Sequence, residues 1–150
     1  MLHQTGAVDL RRLVKEALRM RPDRLVVGEV RGAEALDLIK VWGTGHPGGI
    51  ATIHAGSALG ALLRLEQLIL EVAVNPPRAL IAEAVNVVIY IAGRGRKRRI
   101  ENIARVVGFD GVGYRLADAM ETPFPELPPL PDAASAAATS PSLDLSGELP

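Results

Sequence analysis

The sequence predicts an α/β fold with a mostly parallel sheet and antiparallel strands at one edge. Two observations predict the parallel strands: the runs "RLVVGE" (24–29) and "GIATIHA" (49–55) are short, rich in β-branched residues and bounded by glycine or polar residues. A third observation predicts the antiparallel edge. The run "VNVVIYIAG" (85–93) is followed by "IENIARVVGFDGVGYRL" (100–116), whose Asp110-Gly111 pair is typical of a hairpin turn.

Four helices are predicted before and between these strands. Asp9 can cap the first helix, because the apolar residues that follow it recur on one helical face. Pro22 ends this helix and is expected to restrict Arg21 to extended geometry. The other three helices are predicted over about 33–42, from the cap Ser57 onward, and after the break at Asn75-Pro76-Pro77.

Composition limits where the protein can act. The chain has 150 residues, 48% of them hydrophobic, which is enough for one core. Its most apolar run, Ala84 to Gly93, is about half of the roughly 20 residues that a membrane-spanning helix needs. No secretory signal is visible at the start. The chain contains no cysteine, which excludes disulfides and thiolate metal sites and is typical of a cytosolic protein.

Charge is divided unevenly along the chain. The formal net charge is zero, yet all 17 basic residues precede position 121, whereas five of the 17 acidic residues lie within residues 121–150. Seven of the 11 prolines also lie in residues 121–150, among Ala, Ser and Thr. This composition buries too little apolar surface to offset its ordering entropy. The sequence therefore predicts a folded domain over residues 1–120 and a disordered acidic tail over 121–150, for which a spacer is the simplest role.

Polar residues follow both predicted parallel strands. Glu29 follows the first strand, and His54 ends the second. In open α/β sheets, ligands bind beyond the carboxyl ends of the strands. A carboxylate there can hold Mg²⁺ through water or orient an attacking water, and a histidine can polarise a phosphate. Taken alone, the two residues also fit a solvated turn glutamate and a hydrogen-bonded structural histidine.

A zinc site at His46 and His54 is a weaker hypothesis. Helical metal-binding pairs are four residues apart, whereas these histidines are eight apart, across one proline and two glycines. Zinc would also need one or two further ligands that this spacing does not supply.

The segment "ALRMRPDRLVVGEVRGAEALDLIKVWGTGHPGGIATIHAGS" (17–57) closely resembles the Walker B and histidine-box region of the secretion ATPase superfamily. That superfamily serves type II and type IV secretion, pilus motors and conjugation. The helices that follow and "RALIAEAVNVVIYIAG" (78–93) are most similar to its conjugative-transfer, TrbB-type branch. The resemblance extends from about Asp9 to Ala119. It implies a partial RecA-like P-loop NTPase core, ATP and Mg²⁺ as cofactors, and a cytoplasmic homo-hexamer, peripheral at the inner membrane, that drives conjugation or secretion.

The resemblance also implies roles for individual residues. Glu29 corresponds to the Walker B glutamate, which positions Mg²⁺ and water. His46 and His54 match the histidine box, and His54 is expected to reach the γ-phosphate region or the Walker B carboxylate. Arg19 and Arg31 match the arginines that the family has beside Walker B. Gly28, Thr44 and Gly45 match residues that contact the nucleotide. For both arginines, an exposed or ion-paired surface role is the alternative.

One expected motif is absent from the 150 residues. Nucleotide hydrolases of this class bind phosphates with Gly-x-x-x-x-Gly-Lys-[Ser/Thr], and this sequence has no Gly-Lys pair. The resemblance therefore implies the C-terminal half of such an ATPase, with the phosphate loop upstream of Met1. We expect this chain alone to bind ATP weakly or not at all and to lack measurable hydrolysis.

Two other hypotheses remain open from the sequence. In the first, the chain docks on full-length ATPase subunits and modulates them. In the second, "RGRKRR" (94–99) binds nucleic acid or an anionic membrane through its five basic residues. No aromatic residue is interleaved there to stack bases, so a solvated charged turn is favoured over direct nucleic-acid binding.

Overall fold

The computed structural model of the protein describes residues 9–44 and 48–119. These residues form a mixed α/β structure in which the strands belong to two separate sheets. The elements in chain order are α1 (Leu10–Arg19), β1 (Val26–Val27), α2 (Glu34–Gly43), β2 (Ile50–Ala51), α3 (Ala58–Leu70), α4 (Arg78–Ala84), β3 (Val87–Ala92), β4 (Arg99–Phe109) and β5 (Tyr114–Asp118). A single 3₁₀ turn, Gly95–Lys97, connects β3 to β4.

The start of α1 confirms the predicted cap, and its end corrects a prediction. The Asp9 carboxylate accepts a hydrogen bond from the Arg11 N–H at 3.2 Å. Arg21 is not extended: its φ is 49°, in the left-handed region. There its N–H donates to the Leu18 carbonyl at 3.1 Å, which satisfies a carbonyl at the helix end. This local hydrogen bond outweighs the bias that the following Pro22 imposes.

The first sheet is the parallel pair β1–β2. Val26 pairs with Ile50, and Val27 pairs with Ala51. Hydrogen bonds continue on both sides of this short ladder, from Ile50 N to Leu25 O at 3.2 Å and from Val30 N to Thr52 O at 2.9 Å. The two chain segments therefore stay side by side beyond the assigned strands, as far as Val30 and Thr52.

The second sheet is antiparallel, with the order β3–β4–β5. The turn Asp110–Gly113 joins β4 to β5, as the sequence predicts: the Asp110 carboxylate accepts from the N–H groups of Val112 and Gly113, and Gly111 has a φ of 92°. The expected single, mostly parallel sheet differs from this arrangement. Within the described residues, no strand of the first sheet pairs with a strand of the second, so the strands form two separate sheets.

The core lies between the helices and one face of the strands. Apolar residues three and four apart line one side of α3, as expected for an amphipathic helix. The side chains most completely removed from solvent belong to three helices: Leu38 and Ile39 of α2, Leu62, Leu68 and Ile69 of α3, and Ile81 of α4. On the outer side of α2, an ion pair between Arg11 and Asp37 at 2.6 Å joins this helix to α1. Over residues 9–44 and 48–119, no helix is long and apolar enough to cross a membrane.

Gly49, the residue before β2, contacts the end of α2. Trp42 packs directly against Gly49, where a Cβ atom would lie 2.0 Å from the indole nitrogen. Such a distance is impossible for a side chain, so only glycine allows this approach. Because Gly49 immediately precedes β2, the contact also fixes where that strand begins.

We predict that Gly49→Ala destabilises the fold by displacing Trp42. Overpacking of this kind costs about 1–3 kcal/mol, which should appear as a lower free energy of unfolding in urea. Gly56→Ala is the matched control, because nothing lies within 4 Å of a Cβ at that position. Equal unfolding free energies for the two variants would contradict the proposed close contact.

Candidate functional site

The ends of the two parallel segments bring three of the predicted site residues together. Glu29 Oε1 lies 3.2 Å from His54 Nε2, and Glu29 Oε2 forms an ion pair with the Arg31 guanidinium. The side chain of Glu29 is 25% exposed, whereas those of His54 and Arg31 are 80% and 78% exposed. We call these three residues the Glu29 cluster. It consists of a half-buried carboxylate with two partners that both face solvent.

The backbone around Glu29 is held by Thr52, a residue that the sequence analysis did not single out. The Thr52 hydroxyl donates to the Gly28 carbonyl at 2.5 Å, and the Thr52 carbonyl accepts from Val30 N at 2.9 Å. Thr52 thus contacts the chain on both sides of Glu29. Its signal in the sequence was a hydroxyl residue inside the otherwise apolar run "GIATIHA".

Glu34, the first residue of α2, is the second residue that the sequence analysis missed. Its carboxylate accepts hydrogen bonds from the N–H groups of Arg31 at 2.7 Å and Gly32 at 3.0 Å. The residue is buried, with 8% of its surface exposed. Burial alone would raise its pKa, but the hydrogen bonds from the backbone N–H groups of Arg31, Glu34 and Gly32 outweigh burial and lower it. Glu34 therefore fixes the backbone from which the Arg31 side chain projects. An acidic residue in the first turn of a predicted helix was the available signal.

The electrostatics of the cluster keep Glu29 ionised. The hydrogen bond from Arg31 is the largest influence on its pKa and lowers it below the ordinary value; partial burial opposes this, and the charges of Arg31 and His54 add to the lowering. The same contact raises the pKa of Arg31. Near neutral pH the site therefore presents a carboxylate anion at the end of the parallel strands.

The remaining predicted site residues lie elsewhere or outside the described chain. Arg19, at the end of α1, pairs with Glu16 at 3.2 Å and is 79% exposed, so its contacts here are those of an ion-paired surface residue. Thr44 ends α2, and its hydroxyl donates to the Lys40 carbonyl at 2.6 Å. Gly28 directly precedes Glu29 and has open space where a Cβ would be. The predictions for His46 and Gly45 and for the tail 121–150 fall outside the described residues.

The cluster can contribute one carboxylate to a metal ion. Within residues 9–44 and 48–119, no three His, Cys, Asp or Glu side chains lie close enough to hold a metal together. Zinc sites require three or four protein ligands, whereas Mg²⁺ is commonly held by one or two carboxylates, with water and phosphate oxygens completing its shell. The donors near Glu29 therefore fit Mg²⁺ bound together with a phosphate ligand.

We predict that the Glu29 carboxyl titrates below the ordinary glutamate value of about 4.3. Because the folded-state pKa is lowered, the stabilisation from this group is present above its unfolded-state pKa and is lost as pH falls through the folded-state pKa. Arg31→Gln removes the largest cause and should move the carboxyl midpoint upward in an NMR titration. Arg19→Gln, which removes the guanidinium that pairs with Glu16, should leave it unchanged. An unchanged Glu29 midpoint in Arg31→Gln would show that the ion pair is absent in solution.

Comparison with known proteins identifies relatives along most of the described chain. The family model of the type II/IV secretion system proteins matches residues 1–94. The conjugal transfer protein TrbB of Rhizobium radiobacter is 45% identical over 114 residues, which cover 76% of this chain and 35% of that protein. The type IV secretion system protein PtlH of Bordetella pertussis is 37% identical over 109 residues, or 67% of this chain and 32% of that protein.

The structural comparison agrees with the sequence comparison. The VirB11 ATPase of the Brucella suis type IV secretion system, solved in complex with sulphate, matches with a TM-score of 0.54 and 29% sequence identity. The match covers 74% of this chain and 31% of that one. The 150 residues thus span about a third of the length of these relatives. With a family match over more than half of its residues, the chain belongs to the type II/IV secretion system protein family, and its relatives include TrbB-type conjugal transfer proteins.

Proposed function

We propose that the chain is the Walker B and histidine-box part of a RecA-like ATPase that drives conjugative DNA transfer or type IV secretion. The observation that supports this most directly is the Glu29 cluster: an ionised carboxylate at the carboxyl end of a parallel strand, facing His54 from the neighbouring strand. The relatives act in conjugal transfer and type IV secretion, according to their names. The phosphate-binding loop is proposed to come from a part of the protein outside these 150 residues.

In this proposal Glu29 is the catalytic carboxylate. An ionised carboxylate that is one quarter exposed can accept a hydrogen bond from a water while remaining ordered. Glu29 would hold Mg²⁺ through water and orient the water that attacks the γ-phosphate. Mg²⁺, when bound with ATP, supplies positive charge that stabilises the transferring phosphoryl group. Thr52 and Glu34 act as positioning residues, since they fix the backbone on either side of Glu29.

His54 is proposed to sense the nucleotide. The Nε2 atom of a histidine carries at most one N–H, so it can donate to only one acceptor at a time, and here that acceptor is Glu29 at 3.2 Å. A γ-phosphate oxygen beside the cluster would compete for the same donor. Exchange between the two acceptors would free the carboxylate for water and link nucleotide state to the position of the segment that carries His54. His46 is proposed to complete the histidine box, and Gly28, Thr44 and Gly45 are proposed to contact the nucleotide.

The arginines are proposed to stabilise charge or contact a neighbouring subunit. Both guanidinium groups are largely exposed, at 78% for Arg31 and 79% for Arg19, so a second protein surface can reach them. The assembly proposed is a homo-hexamer on the cytoplasmic side of the inner membrane, associated with the secretion or conjugation machinery.

A second candidate function is docking on full-length ATPase subunits. It is supported by apolar side chains that are exposed on the strands β1, β2 and β3: Val26 is 67% exposed, Ile50 62% and Ile91 56%. Surfaces of this kind are usually covered by more protein. Co-purification of the chain with a full-length relative would favour this role. Complete separation of the two on a sizing column would count against it.

We predict that Glu29→Gln abolishes turnover in a version of the protein that includes the phosphate loop. Loss of a general base or water-orienting group typically costs about 10²–10⁴-fold in rate, while nucleotide affinity changes little. Phosphate release and ATP binding should be measured on the same preparations. Glu83→Gln, which changes an exposed carboxylate in α4, should retain turnover.

The 150-residue chain alone should show no hydrolysis above buffer in the same assay. Turnover by this chain that disappears on Glu29→Gln would mean that its own residues complete the phosphate site. Equal turnover of Glu29→Gln and the unsubstituted protein in the longer version would remove Glu29 from the mechanism.

A further inference from the structure

The turn between β3 and β4 carries a concentration of positive charge, most of which has no acidic partner among the described residues. We call residues 94–99 the basic turn. All six are exposed, and five of them are Arg or Lys. Only Arg99 makes an ion pair to a described residue, with Glu101 at 3.0 Å. The charges of Arg94, Arg96, Lys97 and Arg98 have no acidic partner within residues 9–44 and 48–119.

One face of the antiparallel sheet is apolar and uncovered next to the basic turn. Exposure alternates along β3, so that every second side chain faces the helices and the others face away. Ile89 and Ile91 are 53% and 56% exposed, and Ile100, which pairs with Ile91, is 60% exposed. We call the surface formed by Val87, Ile89, Ile91 and Ile100 the open face. It leads directly to the basic turn, because Ala92 pairs with Arg99 at the end of the same ladder.

The last described strand, β5, points toward the end of the sheet that carries the basic turn. Asp118 pairs with Ala104, and the Ala119 N–H donates to the Ile103 carbonyl at 2.9 Å. Since β5 is antiparallel to β4, it runs toward the Arg99 end of β4. The four residue steps of β4 from Ile103 to Arg99 span about 13 Å, a distance that four further residues in extended conformation can cover. On this side of β4, residues 99–102 have no strand partner in the described chain.

The segment that follows has the complementary chemistry. Residues 121–132, "ETPFPELPPLPD", contain three acidic and no basic residues. Their five prolines favour the polyproline II conformation, which repeats every three residues. Phe124, Leu127 and Leu130 are spaced by three and would share one edge of such a helix. A segment with no core of its own can still order against a surface.

We propose that residues 121–132 of this chain dock on its own open face and basic turn. The apolar edge covers the open face, and the acidic side chains lie against the unpaired arginines and Lys97. Since the segment begins two residues after Ala119, its effective local concentration is of the order of millimolar. External polyanions must therefore displace it before they reach the basic turn. The tail acts as an internal mask that competes with nucleic acid and anionic membrane for the same cations.

Heparin affinity tests the mask with matched charge changes. Glu126→Gln/Asp132→Asn and Asp144→Asn/Glu148→Gln each remove two acidic charges, but only the first pair lies in the docking segment. We expect the first variant to elute from heparin at clearly higher salt than the unsubstituted chain, and the second at nearly the same salt. Adding Arg96→Gln/Arg98→Gln to the first variant should abolish the gain. Equal shifts for both tail variants, or a gain that survives the arginine changes, would overturn the proposal.

The absence of native cysteine allows a direct test of proximity in the full chain. A nitroxide on Ser135→Cys should broaden the amide signals of residues 94–100 at low salt. The broadening should recede at about 0.5 M salt, where screening shortens the reach of charge interactions. The same label on Ser146→Cys is the control and should broaden them less. No broadening from Ser135→Cys, or broadening that arises only between differently labelled molecules in a mixture, would contradict docking within one chain.

Discussion

The parallel pairing of β1 with β2 is the constraint on which the site depends. With Val26 opposite Ile50 and Val27 opposite Ala51, both segments proceed in the same direction, and Glu29 reaches His54 across the pair. A shift of one residue in this register would turn Glu29 to the other face of the pair, away from His54, because side chains alternate along a strand. Thr52 stabilises the register through its hydroxyl and carbonyl contacts with the chain on either side of Glu29. The close approach of Trp42 to Gly49 fixes the start of β2 from the opposite end.

The contacts of the Glu29 carboxylate with Arg31 and His54 order this side chain, but each contributes little enough free energy for another partner to replace it. Ion pairs and hydrogen bonds between exposed side chains contribute about 0–1 kcal/mol, and both partners of Glu29 are mostly exposed. The Arg31 backbone, in contrast, is held by the buried Glu34 carboxylate. A rigid backbone thus supports side chains that can exchange partners. This combination suits a site in which water and phosphate must compete for the carboxylate and the histidine.

Local signals in the sequence predicted the elements, whereas pairing and long-range contacts were harder to predict. Asp9 and Ser57 cap helices as expected, since capping depends on neighbouring residues alone. The approach of Glu29 to His54 was predictable because both follow strands that were expected to be parallel. The division into two sheets was not, because a strand pattern does not specify its partner. Thr52 was missed because its hydroxyl binds the Gly28 carbonyl, which is distant in the sequence. Glu34 was missed because its carboxylate binds backbone N–H groups of the turn before α2, which the helix pattern does not reveal. The left-handed Arg21 was missed because a helix-end hydrogen bond outweighed the proline rule.

The two separate sheets of the described residues and the half-buried Glu29 carboxylate fit the proposal that this chain supplies one part of a larger nucleotide site. The most direct measurement is calorimetric titration of ATP with Mg²⁺ into the 150-residue chain and into a version extended upstream through a phosphate loop. The account predicts a binding isotherm for the extended version and none for the short chain. Binding by the short chain with comparable affinity would mean that its own residues hold the phosphates, which contradicts the assignment of the Glu29 cluster to one half of a shared site.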